Sequence, residues 1–401
     1  MAKMIRLMSL VGLMSLMGCS DDPSPEGQRV SAEVMSCSTG FEEIADRMGT
    51  RAWTPPSNYY LYSSMYGENG LFATQKDLAH KSIRAFFTQD TDVQERFFYY
   101  RASESKWHMD ADLENGSTSS PFQLYGFIPV EDAEGANISP LSGYYSNGAI
   151  LTINGLSTIT PSDVCVIIGA KDGSAEDDDT GSSDDIRVAP GKFDVTFNPG
   201  DNASNYIFLL FDHIYSSLRF CFTVDATYYA LRRIRLTKLE LIAYAGETGG
   251  GVKAKYDATI TLQKNNTGTS PIVGNISFTP TSGSSDVAFT SLYEWDGTEN
   301  TENDTDNEVL LAPDTPTNFM GSFVPGVNTT FKLRSTYDVF DTHGNLIRKD
   351  CQAENTIDLR QKFEISQTLN GHCYSYTIKV QPTYLYVLSE PDVDNPTVVV
   401  N

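Results

Sequence analysis

The sequence predicts an all-β protein with two tandem antiparallel β-sandwich domains and few short helices. Three observations favour this class. Apolar and polar residues alternate in many short segments, turn-forming clusters separate these segments, and helical periodicity is scarce. Strands in which every second side chain is apolar, so that only one face is buried, are typical of antiparallel sheets. The chain has 401 residues, which is enough for two domains.

The first element, residues 1–18, is predicted to be an export signal. Lys3 and Arg6 precede an apolar run from Leu7 to Leu16, which is too short for the roughly 20 residues of a membrane-spanning helix. The stretch Leu16-Met17-Gly18-Cys19 resembles a bacterial lipobox. The resemblance implies cleavage between Gly18 and Cys19, acylation of Cys19, and anchorage in outer-membrane lipid. An ordinary secretory signal is the alternative.

Residues 19–51 are predicted to be a lipidated tether that carries a removable N-terminal strand. Ser20-Asp21-Asp22 resembles the acidic stretch that sends Bacteroidetes lipoproteins to the outer face of the outer membrane; a solvated tether is the alternative. Further on, Val30, Ala32 and Val34 share one parity, which favours a strand in 29–36. The best helical candidates are residues 41–48 and 74–87.

The net charge of the chain disfavours two classes of partner. The net charge is −23, and removal of Lys3 and Arg6 with the signal makes it −25. So acidic a surface argues against nucleic acid and anionic lipid headgroups as partners. The acidic insertion at 173–185 does not match the spacing of a calcium-binding loop, so a solvated loop is favoured.

We expect no enzyme, cofactor or metal site. The sequence contains no HExxH, GxSxG, P-loop or strand-linked GxGxxG motif. The histidines are scattered without metal-ligand spacing, at positions 80, 108, 213, 343 and 372. We expect His213 to be a satisfied polar residue at the start of a strand. Because carboxylates are plentiful, the number of acidic residues alone does not exclude a glycosidase that uses a pair of catalytic acids.

The domain boundary is predicted in the Gly/Asn-rich segment 198–205, which divides the chain into domains 52–203 and 204–401. Beyond it, four segments alternate clearly: 216–224, 256–262, 331–339 and 374–380. In 234–241 the apolar parity switches from Leu236 to Leu239. A one-residue slip turns a strand over, so we predict a β-bulge near Thr237–Lys238.

Three stretches resemble the fimbrillin superfamily of Bacteroidetes, the type V pilins: GTRAW at 49–53, residues 211–241 and residues 374–401. The resemblance implies transthyretin-like sandwich domains and a structural or adhesive subunit of the fimbrium on the cell surface. It also implies assembly by protease-triggered donor-strand exchange, in which a strand of the next subunit fills a vacated groove. The implied partners are other pilin subunits in a head-to-tail polymer and an Arg-specific protease.

The resemblance also implies specific sites. We predict proteolytic maturation between Arg51 and Ala52, with Arg47 and Arg84 as rivals and a merely solvated Arg51 as the alternative. The donor strand is predicted near the C-terminus, where one set of side chains shares a face and a β-branched tail follows. Its residues are Tyr384, Tyr386, Leu388, Val398 and Val400. The alternative is a last strand that stays within its own domain.

The number of cysteines mildly favours proteolytic removal of the N-terminal segment. If Cys19 carries lipid, five cysteines remain, and cleavage after Arg51 removes Cys37 and leaves four. Cys351 and Cys373 flank one apolar segment and could form a disulfide. Cys165 and Cys221 lie on either side of the expected boundary, so their pairing is less favoured. The alternative is that all four are small buried thiols.

Two other functions stay open. A surface glycan-binding lipoprotein of a nutrient-uptake system presents aromatic platforms to sugars, and Trp53, Trp107 and Trp295 are the candidates. A pilus anchor subunit keeps its lipid and is not cleaved. Tip adhesion to a host or bacterial surface glycan or protein is compatible with residues 100–190, but no motif there identifies a receptor.

Overall fold

The computed structural model describes residues 32–38, 42–44, 81–101, 103–104, 106–115, 121–173, 188, 190–197, 205–244, 252–264, 276–298, 308–326 and 330–380. These residues confirm the all-β class. Between the strands lie two short helices, α1 (Ala226–Tyr229) and α2 (Leu359–Phe363). Three 3₁₀ turns occur at Val130–Asp132, Leu141–Gly143 and Tyr145–Asn147. Within this described part of the chain, no helix is long and apolar enough to cross a membrane.

The largest sheet has eight strands in the order β10-β12-β1-β5-β4-β3-β6-β11. Its strands are β1 (Glu33–Ser38), β3 (Ser82–Gln89), β4 (Asp92–Arg101), β5 (Lys106–Met109), β6 (Phe122–Ile128), β10 (Cys165–Gly173), β11 (Asp194–Val195) and β12 (Tyr206–His213). Because β10 also pairs with β6, the order from β10 to β6 closes on itself. We call these seven strands the ring.

A four-stranded sheet, in the order β16-β15-β8-β7, covers one side of the ring. Its strands are β7 (Gly135–Pro140), β8 (Gly148–Ser157), β15 (Lys255–Gln263) and β16 (Ile276–Pro280). One apolar cluster packs between this sheet and the ring and includes Phe86, Phe127, Leu151, Ile153 and Phe208. A second cluster lies inside the ring and includes Ile83, Phe87, Phe98, Leu124 and Leu209. Ring strands such as β6 are therefore buried on both faces.

Two five-stranded sheets form the second half of the molecule. The first, β2-β22-β13-β19-β9, contains β2 (Glu42–Ile44), β9 (Ile159–Thr160), β13 (Ser216–Val224), β19 (Thr317–Phe323) and β22 (His372–Val380). The second contains β14 (Arg233–Ala243), β17 (Thr290–Glu294), β18 (Val309–Leu310), β20 (Thr330–Phe340) and β21 (Leu346–Asp358). Leu218 and Phe220 of β13 pack with Leu241 of β14 and Leu333 of β20 in one core. The two sheets therefore form a sandwich.

The sandwich strands follow the predicted alternation. In β13, Leu218, Phe220, Phe222 and Val224 are buried, while Arg219 is only half-buried. The register of β14 against β20 shifts between Leu236 and Lys238. The predicted bulge near Thr237–Lys238 is therefore confirmed, because Leu236 and Leu239 both reach the core across the extra residue.

The two helical predictions are wrong where the structure describes them. Residues 42–44 of the 41–48 candidate form β2, and residues 82–87 of the 74–87 candidate form the first part of β3. β3 carries Ala85 and Phe87 towards the inside of the ring and Phe86 towards the four-stranded sheet. A strand buried on both faces has no alternation, so its apolar run is easily mistaken for a helix.

The sheets divide the chain later than the expected boundary at 203/204. β12 follows that boundary, yet it pairs with β1 and β10 in the eight-stranded sheet. β13 is the first strand after it that joins the sandwich. We therefore propose a division at residues 214–215. The chain also crosses this division, because β15 pairs with β8 and β19 pairs with β9.

Candidate functional site: the N-terminal strand and the sheet edges that it covers

The N-terminal strand β1 lies in the interior of the eight-stranded sheet. On one side it pairs in parallel with β12, from Glu33 opposite Tyr206 to Ser38 opposite Phe211. On the other side it pairs antiparallel with β5, where Glu33 lies opposite His108. Just before β1, the carbonyl of Ala32 accepts a hydrogen bond from Met109 N at 3.3 Å. We call the gap between β12 and β5 the strand slot.

The walls of the strand slot are mostly apolar, although β12 ends with Asp212 and His213. All eight residues of β12 are buried, and Trp107 of β5 is only 2% exposed. Ala32 is also buried and belongs to the cluster inside the ring. The Trp107 ring packs against Tyr100, with the ring centroids 5.3 Å apart. A strand in this slot therefore closes both a hydrogen-bond ladder and an apolar core.

The same N-terminal region reaches the sandwich. β2 pairs in parallel with the first residues of β22, with Glu42 opposite His372 and Ile44 opposite Tyr374. It forms the edge of the sheet beyond β22. Residues 33–44 thus contribute one strand to each half of the molecule. Loss of this region would leave unpaired backbone groups on β12, β5 and β22, which can bind another extended chain.

Most predicted site residues lie outside the described residues. These are Gly18 and Cys19, the cleavage positions Arg51 and Ala52, the rival Arg47, and the donor residues Tyr384, Tyr386, Leu388, Val398 and Val400. Of the predicted N-terminal strand, Val34 belongs to β1 and Ala32 precedes it, while Val30 is outside. The predicted strand at 29–36 thus overlaps β1, which begins and ends later.

The rival cleavage position Arg84 lies in the middle of β3. It is paired with Phe97 of β4 on one side and Phe127 of β6 on the other. Its Nε lies 2.8 Å from Glu95 Oε1. Proteases cleave extended segments that are locally unpaired, so the bond after Arg84 is a poor substrate in the folded protein.

The predicted disulfide between Cys351 and Cys373 is not formed. Cys351 lies in β21 and Cys373 lies in β22, which belong to different sheets of the sandwich. The two residues flank α2 and its following turn, and proximity along the chain does not bring their strands side by side. Cys165 and Cys221 also form no disulfide.

Two of the three candidate tryptophans lie among the described residues, Trp107 and Trp295. Trp107 is buried in the wall of the strand slot. One face of Trp295 is covered by the guanidinium of Arg235, 3.9 Å from the ring centroid, and its Nε1 donates to Thr298 O. Trp53 lies outside the described residues.

One cluster escaped the sequence analysis. Asp163, Cys165 and His213 are all buried and in mutual contact where β10 begins and β12 ends. Burial lowers the pKa of His213, but the Asp163 and Asp212 carboxylates together outweigh this effect and raise it. Burial also raises the pKa of the Cys165 thiol. His213 ends β12 rather than starting a strand, and only the pairing of β10 with β12 brings it to Asp163.

No family model and no curated protein matches the chain. Solved structures do match it at low identity. A fimbrial protein from Bacteroides vulgatus is 12% identical, with 77% of this chain and 91% of that chain covered and a TM-score of 0.37. A proposed cell adhesion protein from Bacteroides uniformis is 11% identical, with 88% and 94% covered and a TM-score of 0.37.

The tip fimbrial protein Mfa3 from Porphyromonas gingivalis is also similar. It is 10% identical, with 76% of this chain and 90% of that chain covered and a TM-score of 0.28. These are proteins of the kind that the sequence resemblance indicated. The chain is an all-β protein by its own strands, and the solved structures similar to it are fimbrial and proposed adhesion proteins of Bacteroidetes.

Proposed function

We propose that this protein is a structural, adhesive subunit of a surface fimbrium and belongs to the fimbrillin superfamily. Export as a lipoprotein acylated on Cys19 follows from the lipobox-like N-terminus. The proposed assembly mechanism rests on one observation. The strand that precedes the predicted cleavage position is an internal strand of the sheet, held between β12 and β5.

Proteolysis after Arg51 is the proposed trigger. Hydrolysis of the Arg51–Ala52 peptide bond separates residues 19–51, with their lipid, from the rest of the chain. The departing segment contains both β1 and β2. Until cleavage, β1 is part of the same chain and stays close to the slot when it dissociates. After cleavage it can diffuse away and be replaced by another strand. Removal of the covalent link therefore converts a filled strand slot into an exchangeable one.

An open strand slot is unstable by itself. Exposure of one large apolar side chain costs about 1.5–3 kcal/mol, and Ile207, Leu209 and Phe211 of β12 belong to the cluster inside the ring. The free backbone groups of β12 and β5 also lose their partners. The slot therefore favours any strand that restores the ladder and covers these side chains.

The proposed donor is the C-terminal segment of another subunit, with Tyr384, Tyr386, Leu388, Val398 and Val400 as its apolar residues. This segment follows β22, whose pairing with β2 is lost in the same cleavage. Donation from one subunit to the slot of the next is head-to-tail, so it does not close and builds a filament. No enzymatic activity is part of this proposal.

The full chain treated with an Arg-specific protease tests the proposal. We expect a new N-terminus at Ala52 by N-terminal sequencing, followed by a ladder of oligomers that resists mild denaturant. Arg51→Gln should abolish both products, whereas the matched control Arg47→Gln should leave them unchanged. Deletion of 381–401 should leave cleavage intact and abolish the ladder.

Three outcomes would contradict the proposal: a cleaved chain that stays monomeric, a ladder that forms without residues 381–401, or cleavage that ignores Arg51→Gln. Protein shed from cells gives a further measurement. A mature N-terminus at Ala52 supports a polymerising subunit. A chain that retains acylated Cys19 in the fibre would instead identify an uncleaved anchor.

A further inference from the structure

The cluster of Asp163, Cys165 and His213, which we call the buried triad, joins two strands of the ring. Cys165 opens β10 and lies directly opposite His213, the last residue of β12. His213 Nδ1 lies 2.5 Å from Asp163 Oδ2 and 3.3 Å from Cys165 Sγ. Cys165 Sγ lies 3.5 Å from Asp163 Oδ2. One nitrogen, one oxygen and one sulfur atom therefore lie within 3.5 Å of one another.

The buried triad is shielded from solvent. His213 and Cys165 are fully buried, and Asp163 is only 5% exposed. Among the described residues, the second carboxylate oxygen of Asp163, Oδ1, is buried without a hydrogen-bond partner. Such an oxygen loses its hydration without compensation, so an unpaired buried carboxylate oxygen indicates a missing partner. That partner has to be a hydrogen-bond donor or a cation.

We propose that the buried triad binds one divalent cation of the zinc class. Zinc is bound in proteins by cysteine sulfur at about 2.3 Å and by histidine nitrogen and carboxylate oxygen at about 2.0–2.2 Å. The two distances from Cys165 Sγ, 3.3 and 3.5 Å, already suit a shared ion. His213 Nδ1 and Asp163 Oδ2, now 2.5 Å apart, would have to separate by about 0.8 Å for tetrahedral coordination. Sulfur and nitrogen ligands disfavour calcium and magnesium, which take oxygen ligands.

Charge and protons balance in this site. Binding displaces the thiol proton of Cys165 and the proton shared between His213 Nδ1 and Asp163 Oδ2, and both protons leave to solvent. The thiolate and the carboxylate then neutralise the two positive charges of the ion, and the imidazole, protonated on both nitrogens before binding, becomes neutral with its proton on Nε2.

The ion would cross-link β10 to β12 close to the junction of the two halves. The carbonyl of His213 accepts a hydrogen bond from Asn370 Nδ2 at 3.2 Å, and Gly371 N donates to the carbonyl of Tyr215. The buried triad therefore lies beside the segment that leads into β22. Metal binding at the buried triad does not depend on proteolysis or on the donor strand. A negative result for one proposal therefore leaves the other unaffected.

Cobalt and zinc titrations of the full chain test the site. Co²⁺ bound to a thiolate gives a charge-transfer absorption band, and Zn²⁺ should displace it with a stoichiometry of one ion per chain. Cys165→Ser should abolish the band and weaken zinc binding at least about tenfold. Cys373→Ser, which changes a buried thiol elsewhere, is the matched control and should retain both properties. Cys37→Ser should also retain them.

The absence of a charge-transfer band in the folded wild-type chain would overturn the proposal and leave a hydrogen-bonded Asp163–His213 pair. Equal zinc affinity of Cys165→Ser and Cys373→Ser would overturn it as well. If Cys165→Ser does not fold, the decision rests on the wild-type band and on the two control variants. Loss of the band in Cys37→Ser would assign the ion to another site.

Discussion

At the scale of single residues, Gly126 shows how closely the ring strands pack. It lies in β6, between β3 and β10. A Cβ atom at this position would lie 2.2 Å from the carbonyl oxygen of Arg84 and 3.0 Å from Ile167 Cδ1. The first contact is with backbone, which cannot rotate away. Glycine is therefore required here for close approach of the strands.

We expect Gly126→Ala to destabilise the protein by about 1–3 kcal/mol, the usual cost of an overpacked core. Urea unfolding followed by tryptophan fluorescence measures this change. Gly135→Ala in β7 is the matched control, because its Cβ would meet nothing closer than 3.9 Å. A destabilisation of similar size in both variants would show that the contact with Arg84 is not the cause.

Arg235 provides a second test at this scale, because its ion pair is buried. Its Nη2 lies 3.0 Å from Asp338 Oδ2, and the side chain of Asp338 is 1% exposed. Its Nη1 lies 3.2 Å from Glu308 Oε1. Removal of one partner of a buried pair leaves an uncompensated charge, so we expect Arg235→Ala to cost about 3–5 kcal/mol in unfolding free energy.

The exposed pair of Lys253 and Asp286 is the control for Arg235. Its atoms are 2.8 Å apart, but the two side chains are 38% and 67% exposed. Such surface pairs contribute about 0–1 kcal/mol, so Lys253→Ala should change the denaturation midpoint little. Equal effects of Arg235→Ala and Lys253→Ala would contradict the role of burial.

At the scale of elements, the proposed function requires that β1 can be separated from the sheet. It connects β12 to β5 and precedes the predicted cleavage position. We expect the chain that begins at Ala52, with 381–401 deleted, to bind a hydrophobic dye more strongly than the uncut chain. A synthetic peptide of residues 29–46 should bind this chain and restore low dye fluorescence, because it contains both β1 and β2.

A peptide with the same composition in scrambled order is the control, since register requires the correct side chains in alternate positions. Binding is measured by fluorescence anisotropy of the labelled peptide. Comparable affinity of the scrambled peptide, or no change in dye fluorescence with the native one, would contradict a specific strand slot.

Elements also differ in how visible they are in the sequence. The strands 216–224 and 331–339 were predictable, because one face is buried and the other is partly exposed. The bulge in β14 was predictable for the same reason, since the apolar parity switches across it. β3 was mistaken for a helix because both of its faces are buried and no alternation marks it.

At the scale of the whole molecule, the two halves share elements. β15 comes from the second half of the chain, yet Ala258, Ile260 and Leu262 pack in the cluster between the four-stranded sheet and the ring. Without β15, the cluster loses one wall. The two halves are therefore not independent folding units, although most of their strands pair within one half.

We expect residues 29–215, expressed alone, to unfold without cooperativity and to bind a hydrophobic dye, because β15 and β16 are missing. Addition of residues 252–282 through a flexible linker should restore a cooperative transition, measured by circular dichroism on heating. The same linker with Ile260→Asp and Leu262→Asp is the control. A cooperative transition of residues 29–215 without the added segment would contradict this dependence.

The sequence by itself determined the all-β class, the alternation of the sandwich strands and the bulge near Thr237–Lys238. These features are local, because the alternation of apolar and polar side chains along one strand can be read from consecutive residues. Only the tertiary structure decided that β1 lies between β12 and β5 and that Asp163 and Cys165 meet His213. It also decided that β15 returns to the first half. These arrangements depend on pairing between distant segments, and local periodicity carries no information about which strands become neighbours.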